Sequence, residues 1–303
     1  MRQLIFLLLI GACLSACKKD NTTTSAATPT PTGPQLTFGI KFDSTLARLG
    51  NLGQPVSVPV GNAAQNPVMK KASIHYIEFA SDSLTALGSG AIVYQGAETT
   101  AGGSNAVDFD KAILKGNNTD YVSVNLSTLP AGTYTWLRVS LTYQMFDLAY
   151  RFNNPPNFVN ADLTGSLASF VGFNNYITTH KIIDSTIAVN ANKVQGYWAF
   201  ETSVPFGGTN YGSLTTGEGA GVTVVNPIST TSPVPAGSCV VTGKLASPLV
   251  ITGNETSDIK VVLAFSTNNS FEWKEVNVDG KYEPGAGETV VDMGLRGLHP
   301  YVE

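Results

Sequence analysis

The residues best spaced for chemistry lie near the C-terminus, where Glu275, Asn277, Asp279, Gly280 and Lys281 follow the alternating pattern of a calcium loop. Oxygen side chains on alternate residues and one backbone carbonyl can face a hard cation, and the glycine permits a sharp turn. The position of a bidentate glutamate falls on Ala286, with Glu283 and Glu288 placed to serve a loop of different length. The competing reading is a hairpin turned by Asp279-Gly280 between residues 271–276 and Tyr282.

A second group of residues suits binding. Tyr134, Trp136 and Arg138 alternate along one strand face, and Phe173-Asn174-Asn175-Tyr176 and Phe152-Asn153-Asn154 set rings beside amides. Sugars offer apolar ring faces and polar rims, so a glycan is the ligand class these residues fit. Against this, Trp136, Trp198 and Trp273 all lie in strand-like runs, where large aromatics fill cores. Glu78, Glu201 and Arg138 are charges inside apolar runs. A buried charge needs a partner, which predicts an ion pair between Arg138 and one glutamate. The two glutamates are also the residue type of a glycosidase acid and base, a role that demands a controlled separation.

Other chemistries find less support. A transition-metal site would have to draw on His75, His180 and His299, with Met69, Met145 or Met293 as further ligands, and no two of the histidines have a short ligand spacing. The chain has no Gly-x-Ser-x-Gly elbow, Walker loop, His-Glu-x-x-His or dinucleotide fingerprint. Cys239 stands in the apolar run Cys239-Val240-Val241 and reads as a small hydrophobe.

At the other end, Arg2 introduces the apolar run Leu4–Leu14, and Leu14-Ser15-Ala16-Cys17 follows the pattern of a lipoprotein signal cleaved before Cys17. Residues 1–16 are therefore expected to be removed, and lipid on Cys17 to attach the protein to a membrane. The apolar run falls short of the about 20 residues that a spanning helix needs. Loss of Arg2 leaves 17 basic against 22 acidic side chains, a balance unsuited to nucleic acid. The Thr/Pro-rich stretch through Pro34 has little apolar surface to bury and reads as a disordered tether over 17–34. Its extended reach is roughly 50 Å at about 3.1 Å per residue.

Residues 35–303 are expected to form a single domain, and their pattern predicts an all-β, antiparallel two-sheet β-sandwich with long loops and little helix. Leu36–Phe42, Ser73–Phe79, Tyr121–Leu126, Gly132–Gln144 and Asp258–Phe265 read as strands, separated by Gly, Pro, Asn and Asp breaks. Only Ser44–Leu49 and Asp82–Leu87 suggest short helices, and the segment from Asn153 to Ile183 reads as the least regular part.

The lipobox, the Thr/Pro tether, the Leu129-Pro130-Ala131-Gly132-Thr133-Tyr134 corner and the closing Phe271-Glu272-Trp273 to Leu295-Arg296-Gly297-Leu298 region resemble uncharacterised envelope lipoproteins of the Bacteroidota type. The resemblance implies an envelope location, and Lys18 after Cys17 implies the outer membrane. It also implies that Asp43-Ser44-Thr45, Asp82-Ser83-Leu84 and Asp184-Ser185-Thr186 fit a short O-glycosylation pattern. The expectation is a non-catalytic, lipid-anchored binding module with a glycan as ligand and calcium as the one candidate ion. A structural, adhesion or assembly subunit bound to another envelope protein is the first alternative, and a carboxylate-dependent hydrolase the second.

Overall fold

Strand patterning dominates the molecule as the sequence predicts. The structure, a computed structural model, describes residues 33–86, 88–219 and 239–303. Cys17 and most of the expected tether lie outside these residues. Eighteen strands, numbered in chain order, occupy the described residues together with three single-turn 3-10 helices.

The organising element is β8 (Gly132–Asn154), longer than the predicted 132–144 strand by ten residues. One of its edges pairs with β3 (Val68–Ala80) throughout, from Ala80 opposite Trp136 to Val68 opposite Asp147. The other edge is divided. Residues 132–141 pair with β14 (Cys239–Ile251), and residues 143–154 pair with β9 (Phe158–Phe170). At the fork the Thr142 carbonyl accepts the amides of both Val171 (2.9 Å) and Gly172 (3.1 Å). Beyond β9 the sheet continues through β12 (Tyr197–Phe206) to β13 (Thr209–Glu218), and beyond β3 to β4 (Ala91–Gln95).

Three smaller sheets cover this one. The first runs β18 (Leu298–Val302), β15 (Ile259–Ser266), β1 (Gln35–Asp43), β7 (Thr119–Asn125). It faces the first half of β8 across a core that includes Phe38, Phe79, Leu137, Val139, Leu263 and Phe265. This half is the expected two-sheet sandwich, except that β1 and β15 pair in parallel. The second joins β11 (Thr186–Val194), β10 (Asn174–Lys181), β6 (Ala106–Asp108) and β5 (Glu98–Thr99). It closes on Tyr143, Met145, Phe170 and Tyr197. The third joins β17 (Thr289–Met293), β16 (Phe271–Lys274) and β2 (Asn62–Gln65). It places Phe271 and Trp273 against Phe146, Leu148 and Tyr150 on the opposite face. Alternation along β8 sends Tyr143 and Met145 one way and Phe146, Leu148 and Tyr150 the other, so residues 143–146 are buried on both sides, while the end of the strand from Phe152 is exposed.

Two local expectations are corrected. Residues 44–49 and 82–86 form turns, because Asp43 and Asp82 accept the amides two residues on (Thr45, 2.9 Å; Leu84, 2.8 Å) and so favour a turn over a helix. The segment from Asn153 to Ile183 is mostly regular: it takes in the end of β8, a tight turn at 155–157, β9 and β10, and most of its asparagines and glycines lie in these strands.

Candidate functional site

Tyr134, Trp136 and Arg138 form no open platform: Tyr134 packs on the first core, whereas Arg138 lies opposite Glu78 on the other side of the sheet, with a register shift in β14 beside Trp136 and Tyr134. The Tyr134 ring stacks on Phe79 (centroids 5.0 Å apart) and its hydroxyl donates to the Pro130 carbonyl at 2.8 Å. The Trp136 ring lies against Gly53, where an added Cβ would meet Cζ3 at 3.3 Å. Arg138 is closed to solvent opposite Glu78, with Nη1 to Oε2 at 3.7 Å and both side chains fully buried. Its Nη2 donates to the Ser83 carbonyl at 3.1 Å, while Glu78 accepts the Gly90 amide at 2.6 Å. The pair therefore ties the turns between β3 and β4 down onto the sheet. Burial lowers the Arg138 pKa, opposed by the Glu78 charge.

The Asn174-Asn175-Tyr176 run is also structural in its contacts. Asn174 donates to Ser104 Oγ (3.2 Å) and to the Asn105 carbonyl (2.9 Å), and fully buried Asn175 accepts from the Thr142 hydroxyl at the fork. Tyr176 is half-buried, with Asp108 and Asn192 as its cross-strand neighbours. The amides that resembled a binding loop stitch β10 to its surroundings.

Glu78 and Glu201 are not brought together. Asp147 on β8 is opposite Ser166, which is opposite Glu201, whereas Glu78 is opposite Arg138. The interval from Arg138 to Asp147 is about 30 Å of strand, far beyond a glycosidase pair at roughly 5–10 Å. Glu201 accepts the amides of Ile183 (2.7 Å), Asp184 (3.3 Å) and Ser185 (3.0 Å) and the Ser185 hydroxyl (2.7 Å). Burial works to raise its carboxyl, but these hydrogen bonds outweigh it and hold the pKa below the ordinary value.

The C-terminal loop joins β16 to β17 and is longer than the expected tight hairpin ending at Tyr282. Gly280 does turn sharply, with φ of +72°, but the surrounding carboxylates are already engaged. Glu275 accepts the amides of Asp279 (3.1 Å) and Gly280, and Glu288 accepts those of Val276 (3.0 Å) and Glu283 (2.6 Å). Asn277 donates to Glu283. Arg151 on β8 reaches Asp279 at 2.5 Å and Asp162 at 2.9 Å, and Lys281 reaches Asp162 at 3.0 Å. Fixed cations and backbone amides thus occupy the oxygens of the predicted calcium loop.

The histidines are dispersed. His75 meets Glu98 at 2.9 Å, His299 meets the Ala47 carbonyl at 3.0 Å, and His180 sits between the Phe170 and Tyr197 rings (5.2 and 5.8 Å). Burial lowers the His180 pKa to about 4, with Lys71 adding to the effect. Among the described residues no three His, Cys, Asp or Glu side chains gather as a metal site. Cys239 is half-buried at the start of β14, and burial pushes its thiol up to about 11.

The accessible aromatic surface lies elsewhere. On the face of β8, β9 and β12 that carries Tyr150 and Phe200 in the third core, aromatic residues continue beyond the covering sheet. Phe152, Phe158, Phe206 and Tyr211 form a row with successive centroids 5.6, 5.3 and 6.4 Å apart. Tyr211 is 59 % exposed, Phe206 44 % and Phe152 37 %, enough to leave ring surface for a ligand. Two hairpin tips place them side by side. One runs from β8 through Pro155-Pro156-Asn157 to β9; in the other, Gly207 and Gly208, both at positive φ, connect Phe206 to Thr209 in a two-residue turn. Asn153, Asn154, Asn157 and Asn210 are exposed in the same two hairpins. The sequence signalled one end of this row through Phe152-Asn153-Asn154, but only the pairing of β8, β9, β12 and β13 brings Phe206 and Tyr211 to it.

No family model, curated protein or solved structure was found to match this chain.

Proposed function

We propose that this is a non-catalytic, lipid-anchored protein of the bacterial envelope that binds glycan through the aromatic row at the tips of the β8–β9 and β12–β13 hairpins. The observation that carries the reading is the contiguous, largely exposed row Phe152, Phe158, Phe206 and Tyr211, set in two hairpins that also carry exposed asparagines. Rings present apolar faces to sugar C–H groups, and amides both donate to and accept from hydroxyls. The lipobox at Cys17 and the tether would hold this face at a distance from the outer membrane. The reading requires no cofactor. Calcium, as a bound ion at residues 275–283, would have to displace the Arg151 contact with Asp279 and the amides that Glu275 accepts.

A panel of soluble and immobilised glycans, probed with the full chain and with its Phe206→Ala/Tyr211→Ala variant, tests this directly. The expected result is binding by the parent chain that falls about tenfold or more in the variant, the equivalent of about 1.4 kcal/mol. Binding unaffected by the double substitution would place the site elsewhere.

A second reading is favoured by β13. It is the outer strand of its sheet among the described residues, is largely exposed, and contains neither proline nor any charge before Glu218. Such an edge is suited to pairing with a strand of another envelope protein. Crosslinking in intact cells that captures a partner through β13 would support that reading.

A further inference from the structure

We infer that the aromatic row takes the interior of an uncharged, twisting glycan chain laid across the strands, with several consecutive sugars engaged; the inference rests on the glycan reading above. The four rings come from four neighbouring strands: Phe152 from β8, Phe158 from β9, Phe206 from β12 and Tyr211 from β13. The row therefore runs across the sheet, and its ring spacing lets successive sugars each meet a ring. Both terminal rings are exposed. Tyr211 stands on the outer strand; at the other end Phe152 follows Arg151, whose amide donates to the Tyr282 carbonyl at 2.7 Å, so the β16–β17 loop runs along that edge of β8 while both end rings stay open to solvent. An open row reads the middle of a chain, because recognition of a terminal sugar needs a wall.

The chemistry of the surroundings narrows the ligand further. Residues 152–161 and 202–217 contain no Asp, Glu, Lys or Arg, and so offer no charged partner to a uronate or sulfate. The amides at the hairpin tips also disfavour insertion into lipid, where they would lose water without a replacement. Successive ring planes are inclined by 59°, 50° and 60°. That arrangement matches a soluble chain that turns as it runs, and not a flat crystalline face, which needs coplanar rings.

The experiment is calorimetric titration of the full chain with neutral cello-, xylo-, manno- and malto-oligosaccharides, from disaccharide to hexasaccharide. Matched samples are reduced at the chain end, and further arms contain oligogalacturonate and crystalline cellulose. For the linkage that binds, affinity should rise about tenfold or more between disaccharide and tetrasaccharide and then level off. It should be unchanged by end reduction and absent for the acidic and crystalline arms, and Phe206→Ala should flatten the dependence on length. Full affinity for the disaccharide, or loss on end reduction, would show a chain-end site and overturn the inference while leaving glycan binding in place. Preference for oligogalacturonate or the crystalline face would overturn it equally. Absence of binding in every arm would remove the glycan reading itself.

Discussion

Arg138 and Glu78 face one another in a fully buried position, where either charge left alone would lack both water and a counterion. Glu78→Gln or Arg138→Met should therefore destabilise the protein by about 3–5 kcal/mol in urea unfolding, and replacing both by apolar residues should recover much of that loss. Equal costs for the single and double substitutions would show that the pairing is not what matters. His180 makes the opposite kind of demand, since it is held neutral between two rings. Its folded pKa is about 4 against an ordinary value of 6.5, so between these values the unfolded chain binds the proton and the folded chain does not. The stabilisation is complete above about pH 6.5 and is lost as the pH falls toward 4, by roughly 3 kcal/mol. His180→Phe should reduce the slope of stability over this window; what remains comes from His75, whose pKa burial also lowers, and toward its acid end from carboxylates held below their ordinary value, such as Glu201. An unchanged slope in His180→Phe would contradict the assignment.

Among the strands, those with clean alternation were legible in the sequence. β1, β7 and β15 lie within a residue or two of the predicted runs, and β3 and β8 contain theirs and extend beyond them. Alternation could be read because each has one face on the first core. The second half of β8 was harder to read: Tyr143, Met145 and Phe146 are apolar on both faces, and the alternation that follows ends in Asn153-Asn154, which resembles a turn. β10 did the same, since its asparagines make hydrogen bonds with neighbouring elements. The ion pair of Arg138 with a glutamate was legible as a requirement of burial, but the choice of Glu78 depends on the register of β3 against β8. The loop between β16 and β17 shows the limit of spacing arguments, because Arg151 and Asp162 are distant in sequence. Arg151 contacts both Asp162 and Asp279. Its removal by Arg151→Ala should increase amide exchange over residues 275–288, measured by mass spectrometry. In the parent chain, millimolar calcium or EDTA should leave the melting temperature unchanged. A calcium-dependent rise of the size given by saturating binding, about 2.7 kcal/mol at a hundredfold excess over Kd, would restore the ion-loop reading.

Considered whole, the molecule is a long strand shared between two half-sheets and covered by three smaller sheets, with the aromatic row continuing the face of the third core to the surface. The buried end of that aromatic face includes Trp273, Phe271 and Tyr282, which are in mutual ring contact, and its exposed end is Tyr211. The same burial that fixes the core can therefore pre-order the row, which lowers the entropy lost on binding. The proposed lipid attachment has its own test. Cys17→Ser should move the protein from the membrane fraction to the soluble fraction of the envelope, and retention in the membrane would argue against lipid on Cys17. The most direct test of the binding face is NMR of the aromatic side chains during titration with a neutral glycan identified by the panel. The account predicts shifts concentrated at Phe152, Phe158, Phe206 and Tyr211, with Tyr134, Trp136 and Tyr176 unmoved. Shifts centred on Trp136 or Tyr176, with the row silent, would contradict it.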